Sequence, residues 1–98
     1  MLNPHVHRDV LLNGIRGRAS VVYVGPRENR AARVDLPITL QVYVQGWSPY
    51  EVEDRWMVSV ADVGGLVGWI PVRVDSGDLQ NVAIDWDQLR ARAAAGGR

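Results

Sequence analysis

The chain has 98 residues, a formal net charge of zero at pH 7 and no cysteine. That length fits one domain around one core, and the missing thiols exclude disulfides, thiolate metal sites and cysteine nucleophiles together. Hydrophobic residues make up 47% and charged residues 22%, a globular composition, and no apolar run reaches the ~20 residues of a transmembrane helix.

The opening MLNPHVHRDVLLNG has no basic start and too short an apolar run for a signal peptide. A cytoplasmic protein without membrane insertion is therefore expected. Asn3 can cap a helix over about residues 4–12, with Pro4 in its first turn and Gly14 beyond its end. So short a helix must lean on another element to persist. The run RASVVYV, Arg18 to Val24, reads as the first strand, and Gly25-Pro26 ends it. The polar loop PRENRAA follows.

The strongest signal is Arg33 to Val44, RVDLPITLQVYV. Val34, Leu36, Ile38, Leu40, Val42 and Val44 fall on alternate positions, the mark of a strand with one buried and one wet face. Pro37 lacks an amide donor, which predicts an edge or a bulge there. Gln45 to Pro49 makes a hairpin connection. In the next strand, Tyr50 to Val60, Asp54 shares the phase of Val52, Trp56, Val58 and Val60. Either a bulge shifts the register, or the strand runs past the core there, or Asp54 is a functional acid.

Ala61 to Gly68 reads as a loop, and Trp69 to Asp75 resumes alternation through Ile70, Val72 and Val74. Asp75-Ser76-Gly77-Asp78 has turn chemistry. Val82, Ile84 and Trp86 form a short last strand, and Asp85 with Gln88 resembles a capping box for a helix over about residues 86–95. These elements predict a mainly β single domain over residues 1–98 with its core at about 15–87. The expected architecture is a small five-stranded antiparallel barrel or strongly bent sheet, OB- or SH3-like, with short terminal helices.

The run Gly68-Trp69-Ile70-Pro71-Val72-Arg73-Val74-Asp75, followed by Val82 to Trp86, resembles small β-barrel domains of uncharacterised actinobacterial proteins. Asn13-Gly14, Arg18-Ala19-Ser20-Val21, the long alternating strand and Ser48-Pro49-Tyr50 extend the likeness over roughly residues 10–87. Ser76 departs from it where the family carries proline. The resemblance implies a fold and a bacterial host, and it brings no catalytic residues.

Candidate chemistry is sparse. His5 and His7 form an H-x-H pair with no third ligand near them in sequence, so neither metal nor cofactor is expected. They are also the only imidazole bases, and Ser20, Ser48 and Ser59 sit in no nucleophile-elbow context. Glu51 and Glu53 share the polar face of their strand, the ordinary guard against edge pairing. Gly64 to Gly68 lacks the lysine and hydroxyl of a phosphate loop. All eleven basic residues are arginine, and they are uneven. Residues 1–33 hold six (Arg8, Arg16, Arg18, Arg27, Arg30, Arg33) against Asp9 and Glu28, whereas the remainder is acidic.

Trp, Tyr and Arg anchor protein interfaces. Trp47 at the hairpin tip, Tyr43 on the polar face of its strand, and Arg27 and Arg30 in the polar loop are therefore the expected partner-binding residues. Trp47 has a second reading, as a plug over the barrel end. The expected function is a non-enzymatic module for protein–protein interaction or self-association. The alternative is an OB-like single-stranded nucleic-acid-binding domain using Tyr23, Tyr43 and the early arginines. Neutral net charge and acidic later strands argue against it.

Overall fold

The computed structural model describes residues 10–26 and 32–96. Strands β1 (Ile15–Val24), β2 (Arg33–Tyr43) and β3 (Tyr50–Ser59) form an antiparallel meander. A 3₁₀ helix (Val60–Gly65) leads into β4 (Trp69–Asp75), which returns to pair with the other edge of β1. β5 (Asp78–Ile84) pairs with β4, and helix α1 (Trp86–Gly96) follows. The order across the sheet is β3-β2-β1-β4-β5. Its first four strands make a Greek key, a meander whose fourth strand comes back beside the first.

The inward phase of β2 is buried from Val34 to Val42, and Val44 beyond the strand is buried with it. It meets Val52, Trp56 and Val58 of β3, and Ile70, Val72 and Val74 of β4, in one core. The sheet thus curls into the expected nearly closed five-stranded barrel. Among the described residues no backbone ladder joins β3 to β5. Two side chains span that seam instead. The buried Trp56 Nε1–H donates to the Val82 carbonyl at 2.8 Å, and the Tyr50 hydroxyl donates to the Leu79 carbonyl at 2.7 Å. Burial, aided by the negative charge of Asp78, raises the Tyr50 phenol above its ordinary range. It therefore keeps its proton at neutral pH.

Several boundaries differ from the sequence reading. β1 begins at Ile15, because Ile15, Arg16 and Gly17 find partners in Val74, Arg73 and Val72. β5 opens at Asp78, since Ser76-Gly77 alone turns the chain, and Trp86 starts the helix rather than ending the strand. The loop after β3 contains the 3₁₀ helix. Pro37 lies neither at an edge nor in a bulge of its own strand, for β2 sits between β1 and β3. Its carbonyl accepts from Gly25, just past the end of β1. The proline nitrogen faces the same way, so the missing donor falls where β1 ends and the β2–β3 ladder is not weakened. A Cβ on Gly25 would come within 2.3 Å of the Pro37 ring, so only glycine fits this approach.

The β2–β3 register is unbroken, and Asp54, opposite Ile38, is half-buried with Oδ1 accepting from the Arg55 amide. Val52 and Trp56 on either side of it are buried, so the strand neither bulges nor leaves the core, and Asp54 interrupts the inward phase. The one irregularity facing β2 lies in β1, between Val21 and Tyr23. Residues 10–13 are helical, while positions 4–9 of the expected first helix lie outside the described residues. Asp85 caps α1, its Oδ1 accepting from the Gln88 amide at 3.1 Å. Among the described residues no helix is long and apolar enough to cross a membrane.

Helix α1 is tied to the 3₁₀ helix by a two-point ion pair. Arg90 Nε and Nη2 donate to the two carboxylate oxygens of Asp62 at 3.1 and 2.6 Å. The hydrogen bond from Arg90 holds the Asp62 carboxyl below its usual range. A carboxylate with a depressed folded-state pKa adds stability above its unfolded pKa of about 4 and loses it as pH falls through the folded value. Asp62→Asn should therefore lower the urea midpoint by a constant amount from pH 7 down to about 4. Below that the gap should close. A gap that is the same at pH 7 and pH 2.5 would show that the pair contributes nothing through charge.

Candidate binding face

The outward residues of β2, β1 and β4 line up by register. Gln41, Ser20 and Trp69 form one row; Tyr43, Arg18 and Pro71 form the next; Arg16 and Arg73 follow. Alternation sends these side chains away from the core while Ala19, Val42, Ile70 and Val72 point in. Arg18 stands at the centre. Its guanidinium carbon lies 4.6 Å from the Trp69 ring centroid and 6.0 Å from that of Tyr43. The two rings meet edge to face at 4.9 Å.

Contacts of this kind are worth about 0.5–1 kcal/mol per cation–π pair at exposed sites, and about 0.5–1.5 kcal/mol for the aromatic pair. They hold three large side chains in place on three bonded strands. Trp69 nevertheless stays 44% exposed. Arg92 reaches over from α1 to donate to the Trp69 carbonyl at 2.6 Å. Two shallow concavities flank Arg18. One runs by Tyr43, Val44 and Gln45, the other by Trp69, Pro71, Gln88 and Arg92.

Charge on this face is unbalanced. Arg73 lies 3.7 Å from Asp85 and donates to the Gly14 carbonyl. Arg16, Arg18 and Arg92 make no ion pair among the described residues. The cluster offers cationic donors and flat rings, and Asp85, the carboxylate nearest to it in the ion pairs of the described residues, is held by Arg73. It can bind an anionic or aromatic surface.

Of the residues singled out from the sequence, Tyr43 belongs to this cluster. Trp47 does not. It is half-buried and packs against the core. Arg27, Arg30, His5 and His7 lie outside the described residues. Tyr23 is exposed but pairs with Thr39, so it is four residues along β2 from Tyr43 and in another patch. Glu51 and Glu53 do share the outer face of β3. Among the described residues no three histidines or acids are grouped to hold a metal. Trp69 escaped the sequence reading, although Trp69, Pro71 and Arg73 stand out of phase with the buried residues of their strand, and Arg18 entered it only as one of the early arginines of the nucleic-acid alternative.

The fold and this face define a small Greek-key β-barrel with a cationic, aromatic patch. The chain matches no protein-family model, no curated protein and no solved structure.

Proposed function

We propose that the chain is a non-enzymatic binding module that docks another protein surface on the outer face of β1. The observation that carries this reading is Arg18 set between Trp69 and Tyr43, with Trp69 still open to solvent. Trp, Tyr and Arg dominate interface energies, and side chains already held in place lose little freedom on binding.

The test is partner capture from the native host with wild type, Trp69→Ala and Arg18→Ala, each variant first shown to be folded by circular dichroism. Removing an interface anchor costs about 2 kcal/mol or more of binding, roughly a thirtyfold loss. A bound protein should be recovered with wild type and lost from both variants. Recovery that is unchanged in both folded variants would place the function elsewhere.

A second reading is favoured by topology. Closing the seam gives the cyclic order 1-2-3-5-4, which fits an OB-like barrel, a class that includes single-stranded nucleic-acid binders. The outer face of β2 and β3, which such barrels use, carries Glu51 and Glu53 here and repels phosphate. Salt-sensitive retention of wild type on single-stranded DNA, lost in Trp69→Ala, would favour this reading over protein docking.

A further inference from the structure

β1 has β2 and β4 as neighbours, while β3 and β5 flank the seam. In a ring of five strands the seam lies across from β1. The two sides carry opposite charge. On the β1 side stand Arg16, Arg18 and Arg92, which make no ion pair among the described residues. Glu51 and Glu53 on β3, with Asp75 and Asp78 at the β4–β5 hairpin, likewise make no ion pair among the described residues. The Tyr50–Leu79 hydrogen bond brings the starts of β3 and β5 together, so Glu51 and Asp78 share one end of the seam. Each pole also holds an exposed apolar side chain, Trp69 on one and Leu79 on the other. An apolar centre with a charged rim is the usual composition of a specific contact. The net charge is zero, so no overall repulsion keeps copies apart.

We infer that the occupant of the β1 face is a second copy of this chain, which presents its acidic β3–β5 seam. The inference rests on the binding reading above. The poles point in opposite directions, so a two-fold dimer would set like charge against like charge. The contact is therefore head to tail and leaves one pole free at each end. Copies add one after another into open chains, and the outward arginines and carboxylates draw them together.

Sedimentation velocity tests this. The average sedimentation coefficient of wild type should rise with concentration at low salt, and should fall as NaCl approaches 1 M, where the Debye length is about 3 Å. Arg18→Ala combined with Trp69→Ala removes the central arginine and the apolar anchor of the basic pole, and should weaken association roughly thirtyfold or more. Glu51→Gln, Glu53→Gln and Asp78→Asn together neutralise the exposed carboxylates that flank the seam on β3 and β5. Each variant alone should sediment as a monomer where wild type associates. Mixed one to one, they should form a dimer that grows no further, because each supplies the pole that the other lacks.

A wild type that stays monomeric at all concentrations overturns the inference. So does association that neither variant weakens, or a mixture that remains monomeric. A monomeric wild type that still captures an acidic host protein through Trp69 and Arg18 leaves the binding reading standing and removes only self-association. Loss of both results would remove both.

Discussion

Trp56→Ala should be the most damaging single substitution in the described chain. Trp56 is 2% exposed, and its indole N–H spans the seam to the Val82 carbonyl. Truncating a buried aromatic side chain costs about 3–5 kcal/mol. Leaving the carbonyl without its donor adds about 1–3 kcal/mol. A domain of this size holds only about 5–15 kcal/mol in all. With a urea slope near 1–1.5 kcal/mol/M, the midpoint should fall by at least about 3–4 M. Trp56→Phe separates the two contributions, since it keeps most of the packing and drops the donor. It should lose about 1–3 kcal/mol. If Phe proves as harmful as Ala, the hydrogen bond outweighs packing at the seam. If Ala is tolerated, the seam is no part of the cooperative core.

Leu40→Ala should come next. Leu40 is fully buried in the middle of β2, opposite Val21 on one side and Val52 on the other. The lost transfer energy and the remaining cavity should cost about 2–5 kcal/mol. Thr39 is its neighbour on the opposite face, paired with Tyr23 and Glu53. Thr39→Ala should stay within about 0.5 kcal/mol of wild type, as outward substitutions do. The urea midpoints of the pair measure the inside and outside of the sheet directly. Equal losses would mean that the strand faces have been assigned the wrong way round.

The face of β2 was legible because alternation held without interruption from Val34 to Val44. β4 was legible for the same reason. The start of β1 was not, since Arg16 and Gly17 have no strand signal of their own and are drawn into the sheet by Val72 and Arg73 of β4. The last strand was legible only at Val82 and Ile84, and the first half of β5 escaped because its burial does not alternate. Asp78 to Gln80 are exposed, whereas Asn81 to Ile84 are buried on both faces. Gly14 lies beside Arg73, the partner of Ala83, so the chain ahead of β1 approaches the outside of this pair. No local pattern records such a cover.

The candidate face was legible only in part. Tyr43 was readable as an outward aromatic on a reliable strand. Its companions sit on strands distant in sequence, and Arg18 meets Trp69 only because β4 returns to β1 in one register. Trp47 attracted notice by its loop position, yet contact with the core decides where a tryptophan at a barrel end points.

The place of β1 at the centre of the sheet has a consequence in time. It is the strand that joins the meander to the β4–β5 hairpin, and Arg73 and Gly14 meet across 59 residues of chain. Neither half can close its side of the core until that long loop has been drawn in, and the entropy of closure comes before any reward from burial. Folding should therefore be limited by one late docking event, on the millisecond-to-second scale of non-local β topologies rather than the microseconds of helical bundles. Substitutions at the β1–β4 contact should then change the folding rate most, while those in the β2–β3 hairpin act mainly on unfolding.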